Sequence, residues 1–327
     1  MNQREFGRDG LEVSEVGLGT WQLGSDWGKV DEAEANRILA TALDHGIDFF
    51  DTADVYGPEL SENRLGRFLA GYSGKVFVAT KLGRFPDPGW PGNFTLKAMR
   101  AHTEASLRRL GVEALDLTQL HCIPASEMAD GAVFDHLRTL KEEGKILRFG
   151  ASVESVEEAL LCLEQDDLYS LQIIFNLLRQ KPIDALFEQA VARRVALIIR
   201  LPVASGLLTG KFSPSSTFPP SDHRSYNRDG GAFNVGETFA GLPFETGVAL
   251  ADRLKPLVPA GMSMAQMAIR WILDFSAVGV VIPGATRAGQ VAESAATSLL
   301  PPLDSALHSE LRGFYESHVA RHIRGPY

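Results

Sequence analysis

Eight short apolar segments, separated by patterns typical of helices, constrain the fold of this chain more than any other feature. Between residues 15 and 284 they read EVGLGTW, IDFFDT, KVFVATK, ALDLTQLH, ILRFGAS, LYSLQIIFN, VALIIRLP and AVGVVIPG. They lack the polar alternation of half-exposed strands, as is typical of parallel strands buried on both faces. Eight such strands with helices between them predict an α/β protein with a (β/α)8 TIM barrel.

The segment DEAEANRILATALDHG illustrates the helices that are predicted between the strands. Asp31 and Glu34 have the spacing of a capping box, and Gly46 is suited to the end of a helix. One helical face carries the apolar residues Ala35, Ile38, Leu39, Ala42 and Leu43. A helix that buries this face against the barrel is therefore expected.

Three further segments complete the predicted architecture. QREFGRDGLEVSEVG predicts a β-hairpin that turns at Asp9-Gly10 and covers the bottom of the barrel. Residues 82–94 and 212–242 are unusually long loops, and both follow strands, which places them on the C-terminal face where barrel active sites form. The second loop is expected to act as a lid. No linker divides residues 1–327, so a single domain is predicted.

The composition excludes several classes of partner. The chain has 327 residues, 45% of them hydrophobic, and a net charge of −9, which argues against nucleic acid or an anionic membrane as a partner. Cys122 and Cys162 offer neither a metal-binding spacing nor a disulfide framework, so no metal is predicted and a reducing compartment is favoured. The start, MNQREFGRDG, lacks the apolar core of a signal peptide. A cytoplasmic protein is expected, and the oligomeric state is left open.

Polar side chains stand where the predicted strands end. Asp51 ends the second strand, Lys81 the third and His121 the fourth, and Tyr56 lies one turn beyond Asp51. The ends of barrel strands converge, so these residues are expected to lie close together although they are far apart in sequence. Each residue alone has an ordinary structural explanation, but four together on one face favour a functional site.

These four residue types form a coherent proton-donating site. A phenol has a pKa of about 10, which is high for a proton donor near neutrality. The Lys81 ammonium is expected to lower the pKa of Tyr56, and Asp51 is expected to stabilise the buried ammonium. His121 would then hydrogen-bond an oxygen that gains negative charge. This chemistry suits the addition of hydride to a carbonyl group.

Seven motifs, in order along almost the whole chain, resemble the aldo-keto reductase family. They are GLGTW, FDTADVYG, ATKLG, QLHC, LQIIFN, GLLTGK and IPGATRAGQ. The Asp–Tyr–Lys–His tetrad of the family matches Asp51, Tyr56, Lys81 and His121. IPGA and the long loop after GLLTGK are more similar to the bacterial and potassium-channel-β-like branch than to the mammalian aldose reductases.

The resemblance also implies a set of residues that bind a nicotinamide cofactor, with NADP(H) favoured and NAD(H) as an alternative. Ser152 and Gln172 match the pair that holds the nicotinamide carboxamide. Arg287 is the candidate for the 2′-phosphate, with a surface arginine as the alternative and Arg224 as another candidate. The remaining implied cofactor residues are Gly19, Thr20, Trp21, Asp51, Arg200, Leu201, Pro202, Gly206, Leu207, Lys211, Gly284, Thr286, Gln290 and Ser294.

Three positions depart from the family pattern. Val153 follows the strand-five serine, where asparagine or arginine is usual, and Ser294 stands where asparagine is usual. Arg200 occupies the position of the aromatic ring that stacks on nicotinamide. Two hypotheses follow for Arg200: it stacks on the ring and disfavours the cationic oxidised cofactor, or it turns away and pairs with an acid or an anionic substrate group.

The resemblance implies NADPH-dependent reduction of an aldehyde or ketone, with Tyr56 as the proton donor and His121 at the carbonyl oxygen. An apolar or sugar-like small molecule is the expected substrate. The residues expected to line its pocket are Trp21, Trp27, Tyr56, Phe85, Trp90, His121 and Cys122. An NAD(P)-dependent aldose dehydrogenase is the first alternative, and a redox-sensing, cofactor-binding subunit with little turnover is the second.

Overall fold

Ten strands form a hairpin and a barrel in the computed structural model, which describes residues 1–24, 27 and 30–327. The hairpin strands are β1 (Gln3–Glu5) and β2 (Glu12–Ser14). The barrel strands are β3 (Leu18–Gly19), β4 (Phe49–Asp51), β5 (Phe77–Leu82), β6 (Leu117–His121), β7 (Phe149–Ser152), β8 (Ser170–Ile174), β9 (Ala196–Arg200) and β10 (Val278–Val281). All eight predicted barrel segments therefore contain a strand.

The barrel strands are parallel, and each pairs with its neighbour in sequence from β3 to β10. Bridges between Val16 and Val281 and between Gly19 and Gly284 join the last strand to the first. The Gly17 amide donates to the Val281 carbonyl at 2.8 Å, which reinforces this seam. The predicted (β/α)8 barrel is confirmed. Its parallel register brings the carboxyl ends of all eight strands to one face.

The N-terminal hairpin covers the opposite end of the barrel. β1 and β2 pair antiparallel, and the Phe6 amide donates to the Leu11 carbonyl across the loop at 2.7 Å. The Phe6 ring is fully buried, with its centroid 5.3 Å from that of Phe49 and 5.4 Å from that of Phe77. The predicted hairpin is confirmed, and its apolar residue fills the barrel floor away from the strand ends that carry the polar residues.

Helices follow the strands around the outside of the barrel. They are α1 (Glu32–Asp44), α2 (Leu60–Leu69), α3 (Leu96–Leu110), α4 (Ala125–Asp130), α5 (Ala132–Glu142), α6 (Val156–Leu163), α7 (Pro182–Ala185), α8 (Phe187–Ala192), α9 (His223–Tyr226), α10 (Phe244–Leu254), α11 (Met264–Leu273), α12 (Ala288–Ala296) and α13 (Ser305–Phe314). The Asp31 carboxylate accepts the Glu34 amide at 2.8 Å, so α1 begins where the sequence predicts. The Glu34 side chain, however, bonds elsewhere.

Both long loops are held by specific contacts on the C-terminal face. In the first loop, the Asn93 amide donates to the carbonyls of Gly83 and Phe85 at 3.1 and 2.6 Å. In the second, the buried Phe239 ring packs against Phe218 and Phe244 at centroid distances of 5.7 and 4.8 Å. These contacts order both loops above the strand ends, and the action of the second loop as a lid stays a prediction.

Candidate active site

The strand ends bring the four predicted catalytic residues together. Asp51 ends β4, and Lys81 lies near the end of the neighbouring β5, so the Lys81 Nζ lies 2.6 Å from Asp51 Oδ2. The same ammonium donates to the Thr52 carbonyl at 2.8 Å and to the Tyr56 hydroxyl at 3.1 Å. The rings of Tyr56 and His121 meet edge to face at 5.7 Å. Asp51, Lys81 and Tyr56 thus form a continuous chain that ends at the phenol.

Gly57 allows the segment that carries Tyr56 to turn toward this chain. Its φ of 60° lies in the left-handed region, and a Cβ there would lie 1.9 Å from the Gly24 carbonyl oxygen. A side chain at Gly57 would therefore force two loops of the C-terminal face apart. The glycine that ends FDTADVYG is explained by this close approach.

Burial decides the protonation state of Tyr56. Loss of solvent raises the pKa of Tyr56 to about 12, although the neighbouring Lys81 ammonium acts in the opposite direction. The sequence-based expectation of a net decrease in this pKa is wrong. The free energy lost when a phenolate is removed from water exceeds the free energy gained from its attraction to one ammonium group. The phenol is therefore protonated throughout the neutral range, as a proton donor must be.

His121 is neutral for a related reason. Burial, reinforced by the positive charges of Arg84 and Lys81, lowers the pKa of His121 well below its usual value. Its Nδ1 atom is buried and has no hydrogen-bond partner among the described residues. A neutral imidazole keeps one N–H group, which is available to an oxygen atom placed in the cavity beside Tyr56.

The raised pKa of Tyr56 predicts a flat pH profile for any reaction in which this phenol donates a proton. The rate of a reaction that uses the phenol as an acid falls only as the pH rises through its pKa, which is about 12. We expect kcat for such a reaction, where the proton-transfer step limits the rate, to vary less than about threefold between about pH 6 and pH 9. Steady-state rates across this range in H2O and in D2O test this. A decrease that begins near neutrality would mean that Lys81 outweighs burial.

Ser152 and Gln172 extend the polar chain from Asp51. Gln172 donates its side-chain amide to Asp51 Oδ1 at 2.7 Å, and the Ser152 hydroxyl donates to Gln172 Oε1 at 3.3 Å. Parallel pairing of Ser152 with Gln172 and of His121 with Ser152 explains this proximity. These groups offer both donors and acceptors, which suits the binding of a carboxamide.

A cavity of about 1090 Å³ lies above these strand ends. It is large enough for an extended dinucleotide and a small substrate. The predicted site residues that line it are Gly19, Trp21, Trp27, Asp51, Tyr56, Trp90, His121, Cys122, Ser152, Gln172, Arg200, Leu201, Pro202, Gly206, Lys211, Arg224, Gly284, Thr286, Arg287 and Gln290. Lys81 does not line the cavity but lies beneath it, where it contacts Asp51 and Tyr56.

Besides Lys81, four predicted site residues do not line the cavity. The Thr20 hydroxyl is buried and donates to the Asp51 carbonyl at 2.9 Å, so Thr20 fixes the end of β3 instead. The Phe85 ring turns to His102, at a centroid distance of 5.5 Å. Leu207 is buried in the core, and Ser294 lies in the second turn of α12. None of these four residues belongs to the cavity wall.

The segment after β9 forms a tight turn that faces the cavity. Leu201, Ala204 and Ser205 all have positive φ values, between 49° and 55°, and Gly206 has a φ of 99°. A Cβ at Gly206 would lie 2.9 Å from the Phe212 ring. Strained backbone of this kind is typical of ligand-binding segments. With Lys211 nearby, the turn offers backbone amides and a positive charge to an anionic group.

At the beginning of α12, the backbone amides already donate hydrogen bonds to oxygen atoms of protein side chains. Gln290 Oε1 accepts the amides of Thr286 and Arg287 at 2.8 and 3.1 Å. Glu34 Oε1, from α1, accepts the Ala288 amide at 2.9 Å. The Arg287 guanidinium is exposed at the cavity rim. Arg287 and Glu34 therefore place opposite charges at the beginning of α12.

Arg224, the second candidate for a phosphate, is engaged with its own neighbour. Its Nε and Nη2 atoms donate to the two carboxylate oxygens of Asp222 at 2.9 and 2.6 Å. The guanidinium also lies over the Phe218 ring, 4.4 Å from its centroid. A bidentate ion pair of this kind neutralises Arg224. Arg287 is therefore the better placed of the two for an anionic group.

Arg200 has an acid partner, as the second hypothesis stated for it requires, while it still lines the cavity. Its Nη2 donates to the Val153 carbonyl at 3.0 Å, and its Nη1 lies 3.7 Å from Glu237 Oε1. Glu237 belongs to the long loop that follows β9. The acid partner offsets the charge of Arg200, so the predicted repulsion of a cationic ring is weakened.

Sequence reasoning missed three charged residues of the cavity wall, Arg84, Glu154 and Glu237. Arg84 Nη2 lies 2.8 Å from Glu154 Oε1 and 3.2 Å from Glu237 Oε1. Arg84 follows β5, and Glu154 follows β7. Attention to polar residues just beyond each strand would have found these two. Glu237 reaches the site only through the path of the long loop, which no sequence pattern reveals.

A sequence model of the aldo/keto reductase family matches residues 15–316. The chain is 29% identical over 296 residues to the aldo-keto reductase YhdN of Bacillus subtilis, with 86% of this chain and 84% of that protein covered. It is 31% identical over 315 residues to the L-glyceraldehyde 3-phosphate reductase of Escherichia coli K12, with 90% and 86% covered.

The glycerol dehydrogenase AKR11B4 from Gluconobacter oxydans has a similar structure, with a TM-score of 0.76 and 30% identity over 99% of this chain and 97% of that one. The sequence match, the relatives and the barrel agree. The chain belongs to the aldo/keto reductase family of oxidoreductases. Within the described part of the chain, every helix is too short or too polar to cross a membrane.

Proposed function

We propose that the protein catalyses NADPH-dependent reduction of an aldehyde or ketone to an alcohol. The chain of contacts from Asp51 through Lys81 to Tyr56, which ends in the cavity beside His121, supports this proposal most directly. A protonated phenol and a neutral imidazole converge there. Together they would bind a carbonyl oxygen and protonate it.

Each tetrad residue has a distinct part in the proposed reaction. The cofactor, when bound, supplies the hydride. The Tyr56 hydroxyl donates a proton to the carbonyl oxygen, and the Lys81 ammonium stabilises the phenolate that remains. The carboxylate of Asp51 holds that ammonium in place. The N–H group of His121 fixes the oxygen within reach of Tyr56.

The residues present fit a nicotinamide dinucleotide. Ser152 and Gln172 offer a hydroxyl and an amide at the strand ends next to Asp51, where they would hold the carboxamide. The turn at Gly206 and the Lys211 ammonium would bind the pyrophosphate. Arg287 at the far end would contact the 2′-phosphate. In this order along the cavity, the reactive ring would lie against Tyr56.

Turnover of a simple carbonyl compound tests the proposal. The purified protein is expected to oxidise NADPH in the presence of 4-nitrobenzaldehyde, with stoichiometric formation of the alcohol. The absence of any turnover, together with retained cofactor binding, would instead favour a redox-sensing subunit. Product analysis separates genuine reduction from a slow background loss of the cofactor.

Arg287 and Glu34 predict opposite effects on the choice of cofactor. Arg287→Ala removes a guanidinium that only the 2′-phosphate of NADPH would use, so the Kd for NADPH should rise about tenfold. Glu34→Gln removes a carboxylate that competes for the same end of α12, so the Kd for NADPH should fall about threefold. NADH binding should change little in both variants.

Fluorescence titration of each cofactor measures these constants without turnover. Glu32→Gln is the matched control, because Glu32 lies on the same helix as Glu34 but pairs with Arg67 at 2.7 Å and does not line the cavity. Equal losses for NADPH and NADH in Arg287→Ala would show that Arg287 acts structurally. An unchanged NADPH constant in Glu34→Gln would show that the phosphate binds away from the Ala288 amide.

Oxidation of a polyol is a second candidate activity. The structural neighbour from Gluconobacter oxydans is named a glycerol dehydrogenase, and it covers nearly all of this chain. The same Tyr56 would then accept a proton as its phenolate. A pKa of about 12 makes the phenolate scarce at neutral pH, so the reductive direction is favoured there.

A further inference from the structure

Four charged side chains form a cluster in the cavity wall next to the catalytic residues. The contacts described above join them in a row, from Glu154 through Arg84 and Glu237 to Arg200. The side chains are between 8% and 18% exposed, so they are largely removed from solvent. All four line the cavity that Tyr56 and His121 also line.

Buried charges are costly, so a cluster of this kind in a substrate cavity calls for an explanation. It does not serve the proton chain, which consists of Asp51, Lys81 and Tyr56. A bound cation is one candidate, because the ligand atoms of Cys122, Glu154 and Glu237 lie within 4.8 Å of one another. The guanidinium of Arg84, however, already pairs with both of these carboxylates. The cluster is therefore an ion-pair network rather than a cation site.

The cluster contains hydrogen-bond donors next to acceptors. Its two guanidinium groups and two carboxylates sum to no net formal charge. The Nε of Arg200 is buried and has no hydrogen-bond partner among the described residues, so the cluster retains an unused donor. A neutral hydroxyl group both donates and accepts hydrogen bonds, and it is therefore the ligand that such a surface suits best.

We propose that the Arg84–Glu154–Arg200–Glu237 cluster is a hydroxyl-binding subsite. The preferred substrate is then a neutral carbonyl compound whose neighbouring carbons carry hydroxyl groups. This proposal rests on the carbonyl reduction proposed above and specifies the class of substrate for the same site. The proposal also assigns the selection of this substrate class to the four residues of the cluster.

Two other classes of substrate fit the cluster less well. A phosphate ester would gain attraction from the two arginines but meet repulsion from Glu154 and Glu237, so it gains little net attraction. A plain alkyl aldehyde would displace water from the charged groups. It offers no hydrogen bonds in place of those that the water made, which is unfavourable. The cluster therefore separates three aldehydes of equal carbon number: glyceraldehyde, glyceraldehyde 3-phosphate and propanal.

The first test compares kcat/KM for these three aldehydes in the wild-type protein, corrected for the hydrated fraction of each. Glyceraldehyde should exceed propanal and glyceraldehyde 3-phosphate by at least about tenfold. Equal values for glyceraldehyde and propanal would overturn the proposal. Turnover of 4-nitrobenzaldehyde in the same preparation shows whether carbonyl reduction itself takes place, so a failure of the subsite and a failure of the activity are distinguishable.

The second test changes the charge of the cluster in both directions. Glu154→Gln gives it a net positive charge, so the ratio of kcat/KM for glyceraldehyde 3-phosphate to that for glyceraldehyde should rise at least about threefold. Arg84→Gln should lower the same ratio. Glu157→Gln is the matched control, because Glu157 is exposed on α6 and pairs with Lys181 at 2.7 Å. Ratios that stay the same in both cluster variants would refute the assignment.

Equilibrium binding provides a measurement that does not depend on turnover or on the variants. Glycerol and 1-propanol are the alcohols that correspond to glyceraldehyde and propanal. Fluorescence of the cavity tryptophans Trp21, Trp27 and Trp90 in the protein saturated with NADP⁺ reports their binding. Glycerol should bind at least about threefold more tightly than 1-propanol. Tighter binding of 1-propanol would contradict the hydroxyl-binding subsite.

Discussion

Tyr56→Phe should abolish nearly all carbonyl reduction while leaving the cofactor bound. The substitution removes one oxygen atom, which lies 3.1 Å from the Lys81 ammonium, and it keeps the ring that packs against Trp21 and His121. A general acid contributes typically about 10²–10⁴-fold to a rate. We therefore expect kcat to fall by about 10²–10⁴-fold, and the Kd for NADPH to change less than about twofold.

Single-turnover reduction of 4-nitrobenzaldehyde isolates the chemical step for this comparison. Tyr72→Phe is the matched control, because it makes the same chemical change at an exposed residue that does not line the cavity. It should retain the wild-type rate. A Tyr56→Phe variant with more than about half of the wild-type rate would show that another group donates the proton.

The barrel and the positions of the tetrad were predictable from the sequence for the same reason. Parallel strands buried on both faces are read as uninterrupted apolar segments, and their carboxyl ends must meet at one face of a closed barrel. Asp51, Lys81 and His121 are fixed by this geometry alone, since each lies at a strand end. The hairpin at the opposite end follows from equally local signals.

Properties that depend on the surroundings of a side chain were not predictable in this way. The sequence shows that Lys81 can approach Tyr56, and this supports a lower phenol pKa. The extent of burial, which acts in the opposite direction and prevails, is known only from the packed structure. Thr20 and Phe85 likewise lie next to strand ends, but their side chains point to Asp51 and His102 rather than into the cavity.

The charged cluster was predictable from the sequence only in part. Arg84 and Glu154 follow strand ends, so the rule that identified the tetrad applies to them as well. Glu237 is far along the chain from any strand, and its position in space depends on the path of residues 212–242. The Ser205 hydroxyl donates to the Glu237 carbonyl at 3.2 Å and fixes this part of the loop. Only the folded loop shows that an acid partner for Arg200 exists.

Lys81→Met should destabilise the protein as well as inactivate it. The Lys81 side chain is fully buried, and that of Asp51 is 4% exposed. Removal of the ammonium leaves a buried carboxylate without its cation, although Gln172 still donates to it at 2.7 Å. Breaking a buried ion pair in this manner typically costs about 3–5 kcal/mol. We expect the free energy of unfolding to fall by about that amount, as measured by urea denaturation.

A double variant separates the two effects. Asp51→Asn with Lys81→Met removes both charges and keeps an oxygen that can accept the Gln172 amide, so most of the lost stability should return. Activity should not return, because the phenolate left by proton transfer would lack its stabilising cation. If the double variant were as unstable as Lys81→Met, the unpaired carboxylate would not be the cause of the loss.

An exposed ion pair provides the control for this prediction. Lys255 Nζ lies 2.6 Å from Asp252 Oδ1, at the same distance as in the buried pair, but the two side chains are 47% and 53% exposed. Water solvates both charges there, so Lys255→Met should change the free energy of unfolding by less than about 1 kcal/mol. Equal losses at the two sites would mean that burial of Lys81 and Asp51 adds nothing to the cost. The difference between two pairs of equal length therefore measures the contribution of burial, which is the same effect that keeps Tyr56 protonated.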